Sequence, residues 1–157
     1  MFNKTPLQPT KADLTPHWTA VALMLLLLVG YLIACRTMSA ELSSLLPESQ
    51  RVWLRTLCYI VAIVMFPLTN LIRHIQLRLN QTMPGDKPAN KRYLLTIVVS
   101  LFLIHGVGVL GVIMTLLGDD SNTLYILVGM SALGAFLYRP KWVEYRGIVT
   151  ALAEKNR

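Results

Sequence analysis

Four stretches of almost unbroken apolar residues, separated by short polar connections, organise this chain. The first covers residues 18–35, with a wholly apolar core at 22–29, and the second covers 52–72. The third covers 93–117 and the fourth 123–138. A helix on the surface of a soluble domain shows an apolar stripe every three or four residues, whereas these runs are apolar all round. A bilayer core about 30 Å thick needs ~20 such residues in a helix. The pattern therefore predicts an all-α integral membrane protein, with four transmembrane helices arranged as two hairpins in series. The third run is long enough to cross with some tilt. The fourth is short, so Arg139 is expected to snorkel at its end, and Trp18 and Tyr31 read as interfacial aromatics.

The connections carry their own signals. Residues 1–17 are polar, contain Pro6, Pro9 and Pro16, and read as a tail that includes His17. In the connection 36–51, Leu42, Leu45 and Leu46 are expected to lie on the membrane surface. Pro67 sits late in the second run and predicts a kink, because proline removes one backbone hydrogen bond; Thr69 and Asn70 follow within the same turn. The stretch 73–92 is the most polar connection, with Met83, Pro84, Gly85 and Asp86 as a turn. Gly118 to Asn122 reads as a tight turn between the third and fourth runs. Residues 140–157 form the second tail, and from Lys141 onward an interfacial helix is expected, with Trp142, Tyr145, Ile148, Val149 and Leu152 on one side.

Composition agrees with a membrane protein. Hydrophobic residues make up 54% against 15% charged, and mean hydropathy is +0.52, so a water-exposed surface could not be covered. The net charge of +7 could point to nucleic acid, but the basic residues flank the apolar runs and no basic patch is interleaved with stacking aromatics. Of the 15 Lys and Arg, the amino tail, the middle connection and the carboxyl tail hold two, five and five; the other side has only Arg36, Arg51 and Arg55. That asymmetry predicts both termini and the middle connection in the cytoplasm. Cys35 and Cys58 form no disulfide framework or CxxC pair, so no metal or cofactor is expected. Leu32-Ile33-Ala34-Cys35 looks like a lipoprotein signal box, but Asp13 and Pro16 intervene between the lysines and the apolar run, unlike a signal peptide.

Few residues inside the runs carry chemistry. His105 is the only ionisable residue near the middle of a run, about 18 Å from Tyr93 at 1.5 Å per residue. It reads either as a proton-relay or ligand group or, in the plainer reading, as a neutral imidazole bonded to a neighbouring helix. Thr69 and Asn70 complete a candidate intramembrane polar site; they either line a cavity or satisfy backbone groups freed by Pro67. A haem held by two histidines is not expected, because His17 and His74 lie at the surface and His105 lies deeper. Gly108, Gly111 and Thr115 share one helix face, and Ser131 and Ala135 make a small-xxx-small pair beside Gly134. Such faces serve either as a dimerisation seam or as packing within one chain. Arg55 is expected to anchor its helix by snorkelling, and Asp119 and Asp120 to be solvated in their turn. No Asp or Glu lies in any run, and no phosphate-binding loop, HExxH or catalytic triad is present.

The segment Leu101-Phe-Leu-Ile-His-Gly-Val-Gly-Val-Leu-Gly-Val-Ile-Met resembles the outer helix of rotary ATP-synthase proteolipids. His105 stands where their proton-carrying carboxylate would fall, so the resemblance does not carry their activity over. With the acidic turn and the closing Tyr-Arg-Pro, the same segment is similar to small bacterial four-span proteins, which implies a bacterial inner membrane. The expected function is that of a non-enzymatic accessory or assembly subunit, partnered by the bilayer and by another membrane protein or its own copies. The alternative is an oligomeric small transporter or channel with its pathway near His105. A membrane enzyme with a surface site around Arg73, His74 and Arg78 ranks third.

Overall fold

The computed structural model describes residues 9–38, 46–83 and 87–155. Among them all regular structure is helical: a 3₁₀ turn at Lys11–Leu14, then α1 (Thr15–Met38), α2 (Glu48–Thr82), α3 (Ala89–Leu116), α4 (Ser121–Leu137) and α5 (Trp142–Lys155). The helices α1, α2 and α3 are each long and apolar enough to cross a membrane. At 17 residues α4 measures about 26 Å, short of the ~30 Å hydrocarbon core. It reaches spanning length only together with α5, from which it is bent by 45°. Leu42, Leu45 and the turn residues Pro84, Gly85 and Asp86 lie outside the described residues.

Local chemistry sets the helix ends. The backbone N–H of Thr10 donates to Asp13 Oδ2 at 2.9 Å, closing the turn that leads into α1. Gly118 has φ of 81°, the left-handed conformation that glycine adopts without a Cβ penalty. It ends α3 in a Schellman motif, with Gly118 N donating to Thr115 O and Asp119 N to Met114 O, both at 3.0 Å. Asp120 then caps α4 through Asn122 N.

Cross-helix contacts fix the directions. His17 on α1 meets Asn90 at the start of α3, and Tyr31 meets His105 further along both, so α1 and α3 run parallel. Asn80 near the end of α2 bonds Arg92 and Thr96, while Arg55 near its start bonds Asp119, so α2 runs the opposite way. One end of the bundle is therefore a turn end, with Arg55 and Asp119. The other is a basic end, with His17, Arg73, Arg92 and α5.

Helix α3 is the hub and packs on α1, α2, α4 and α5. At the basic end Leu14, Val21, Tyr93, Ile97, Leu101, Ala135, Tyr145 and Ile148 form one cluster. Towards the turn end Leu28 and Cys35 pack on Leu124 and Val128, and Ala62, Val107 and Leu127 join α2, α3 and α4. The outer faces of α1 and α2 are lined by exposed Leu, Ile and Val, with Leu26, Ile33 and Ile63 each more than 60% exposed.

Several expectations change. The polar stretch after residue 72 is not a loop: α2 continues through Arg73 and Arg78 to Thr82. There Arg73 and Asn80 pair with groups on other helices, while His74 and Arg78 are exposed. The stripe Tyr145, Ile148 does not face lipid but turns inward against the bundle core. His17 is fully buried rather than part of a surface tail, and its ring lies 5.1 Å from that of Tyr93.

Candidate functional site

Three polar layers cross the bundle. In the middle, Tyr31 Oη and His105 Nε2 share a hydrogen bond at 3.0 Å, joining α1 to α3. Tyr31 thus points inward, where an interfacial position was expected. His105 is 9% exposed, and its Nδ1 has no hydrogen-bond partner. Thr69 is fully buried on α2, and its Oγ1 likewise lacks a partner. Asn70 is exposed and belongs to a different place, a cavity at the basic end. No hydrogen bond among the described residues links His105 to Thr69 or Asn70, so the three do not form one bonded cluster.

The small-residue faces meet each other inside the chain. A Cβ on Gly108 would strike Leu28 Cδ2 of α1 at 2.6 Å and come within 3.3 Å of Ser131 Cβ, and one on Gly111 would come within 3.2 Å of Leu127 Cβ. A Cβ on Gly134 would strike Ile104 Cγ2 at 2.4 Å. Ser131 Oγ donates to the carbonyl of Ile104 at 3.0 Å, and Thr115 Oγ1 to that of Gly111 at 3.0 Å. Ala135 is buried in the basic-end cluster. The described contacts of Gly111 and Ser131 therefore belong to the seam between α3 and α4, while Gly108 packs against both α4 and Leu28 of α1. Gly106 and Gly129 face outward, with nothing within 4 Å.

At the turn end Arg55 forms a bidentate ion pair with Asp119, whose side chain is fully buried, and Arg51 Nη1 donates to Gly118 O at 2.7 Å. Solvation of Asp119 in its turn is corrected by this pair: a carboxylate at that depth is stabilised by the guanidinium beside it. Burial by itself pushes the Asp119 carboxyl up, but hydrogen bonds from Arg55, Thr123 and the Asp120 backbone outweigh it and hold the group below its ordinary value.

The basic end holds the densest network. Arg73, 4% exposed, donates Nη1 to Tyr138 O at 2.8 Å and Nη2 to Arg139 O at 3.2 Å. Its Nη2 also meets Glu144 Oε2 at 2.6 Å, and Tyr93 Oη donates to the same oxygen at 2.8 Å. Lys141 N donates to Tyr93 Oη at 2.8 Å. One guanidinium thus ties the end of α4 and the start of α5 onto α2, across a break that contains Pro140, a residue that cannot continue a helix. Tyr138 Oη adds a bond to Phe66 O at 2.7 Å, one residue before Pro67. Beside this network a cavity of about 340 Å³ is lined by Asn70, Arg73, His74, Leu77, Leu137, Tyr138, Lys141 and Glu144.

Glu144 and Tyr93 were not singled out from the sequence. One signal was present: Glu144 is the sole carboxylate between Asp120 and Glu154, in a region with Arg139, Lys141 and Arg146. Among the described residues no three His, Cys, Asp or Glu come together in an arrangement suited to a metal ion. Comparison with known protein families, curated proteins and solved structures finds no match to this chain.

Proposed function

We propose that this chain is a small non-enzymatic protein of a bacterial inner membrane that acts through helix–helix contacts as an accessory or assembly subunit. In this reading α1 to α4 are four spans in two hairpins, and both termini and the basic end face the cytoplasm. One observation supports it above others. The polar bonds and tight small-residue contacts of α3 and α4 are made within the chain, and what faces outward is apolar. In a bilayer, outward apolar surface serves lipid or another membrane helix equally well. The outward Gly30, Gly106 and Gly129 have no neighbour within 4 Å, which leaves room for close backbone approach by such a helix.

The test is purification of the full chain from its native membrane in mild detergent, with chemical cross-linking before lysis. The reading expects an unrelated membrane subunit at fixed stoichiometry. Recovery of the chain only as a monomer, or only as copies of itself, would count against it. The second reading, an oligomeric transporter or channel, draws on His105 Nδ1 and Thr69 Oγ1, both buried without a partner. It expects a homo-oligomer whose flux in proteoliposomes is lost in His105→Gln.

A further inference from the structure

The cavity at the basic end has features that neither reading uses. It lies where α2 passes from exposed apolar residues, Leu68 and Leu71, to the polar stretch containing Arg78 and Asn80. Its walls combine an exposed ammonium (Lys141), an exposed imidazole (His74), an exposed amide (Asn70) and the buried guanidinium of Arg73. Glu144 also lines it, but its Oε2 is already bonded by Arg73 and Tyr93. With Arg73 and Glu144 paired, the charge of Lys141 is left over. The side chains of His74 and Lys141 are exposed and enter no ion pair among the described residues. Leu137 and Leu71, 47% and 56% exposed, lie on the apolar side, the first in the cavity wall itself.

We propose that this cavity binds a phosphate-bearing anion, with Lys141, His74 and Asn70 contacting the phosphate and the Arg73–Glu144 pair holding those elements in place. Basic pockets between helices at the cytoplasmic surface take anionic headgroups, because charge attraction adds to burial of the acyl chains alongside. The same phosphate could arrive on a phospholipid or as a soluble phosphate ester. The inference rests on the membrane reading above, with this end at the bilayer surface, and does not depend on the accessory role.

The test uses the full chain in detergent, with native mass spectrometry of three probes: dioctanoyl phosphatidylglycerol, dioctanoyl phosphatidylcholine and glycerol phosphate. The expected result is retention of phosphatidylglycerol over phosphatidylcholine. The double variant Lys141→Gln, His74→Gln should weaken that binding by about fivefold or more, on the basis of roughly one lost surface charge. Arg146→Gln, on α5 but outside the cavity lining, should bind as the parent does. Binding of glycerol phosphate as well, lost in the same double variant, supports the site and assigns the phosphate alone as its determinant. Equal retention of the two lipids with no glycerol phosphate bound overturns the proposal. So does phosphatidylglycerol binding by the double variant that is undiminished from the parent. Both substitutions are on exposed side chains, and Lys141→Ala alone provides a second, milder check. Carbonate extraction of membranes carrying the chain reports the bilayer reading separately. Loss of phosphate selectivity in an extraction-resistant protein refutes only the site.

Discussion

Gly134→Ala is the substitution whose cost follows most directly from the packing. A Cβ at this position would stand 2.4 Å from Ile104 Cγ2 and 3.0 Å from its Cδ1. Cγ2 is carried on a β-branched carbon, so it moves only if χ1 rotates or the helices part. Ile104 is 1% exposed, which leaves the rotated side chain no free space. Overpacking of this kind costs about 1–3 kcal/mol. The better helix propensity of alanine returns up to about 1 kcal/mol, so a net loss of about 1–2 kcal/mol is expected. Ile104→Ala alone should cost about 2–5 kcal/mol through the cavity it leaves. In the double variant the new methyl has room, and the two effects should fall short of additivity by about 1 kcal/mol or more. Reversible unfolding by sodium dodecyl sulfate in mixed micelles, run on all four proteins, measures this coupling. Gly106→Ala and Gly129→Ala, which meet nothing within 4 Å, serve as controls and should be neutral or stabilising, by up to about 1 kcal/mol. A neutral Gly134→Ala, or strict additivity with Ile104→Ala, would refute the seam between α3 and α4.

Asp119 predicts a pH dependence. A carboxyl lowered in the folded state contributes stability that is fully present above its ordinary value of about 3.9 and is lost as pH falls through the lowered folded value. Arg55→Met should remove that acid-side loss and cost about 1–3 kcal/mol near neutral pH, less than a fully buried pair because Arg55 is a third exposed. Thermal unfolding from pH 7 to pH 3 checks both. Tyr31→Phe should lower stability by about 1 kcal/mol by taking the partner from His105 Nε2, while His105→Gln, which keeps an amide for Tyr31, should fold nearly as the parent does. If His105→Gln folds yet fails to complement a deletion phenotype, the histidine is more than a packing bond. Glu144→Gln should destabilise by roughly 3 kcal/mol, because it leaves the buried Arg73 charge with carbonyl partners only; a loss under 0.5 kcal/mol in the same unfolding assay would contradict the role given to that pair.

The apolar runs were legible because they are continuous along the chain, and α1, the apolar part of α2, and α3 lie close to them. The glycine turn was legible too, since Gly118 supplies a backbone conformation that few other residues adopt. What escaped was decided by partners distant in sequence. Arg73 looked like the end of an apolar run because its charge is unanswered locally; Glu144, 71 residues later, answers it. His17 looked like tail because its neighbours are polar, yet Tyr93 and Tyr145 enclose it. The composition of α5 predicted an apolar stripe, but whether that stripe meets lipid or protein depends on the direction α5 takes after the break at Pro140. For the same reason the face of Gly108 and Gly111 announced close packing without saying whether the partner was α4 or a second copy.

In the proposed topology the basic end and the turn end of the bundle lie on opposite sides of a bilayer. Paired reporter fusions, one active only in the cytoplasm and one only outside it, placed at Pro84, Asn122 and the carboxyl end, test it most directly. Cytoplasmic signals are expected at Pro84 and the carboxyl end, and an external signal at Asn122. An external Pro84, or the same side for Pro84 and Asn122, would contradict it.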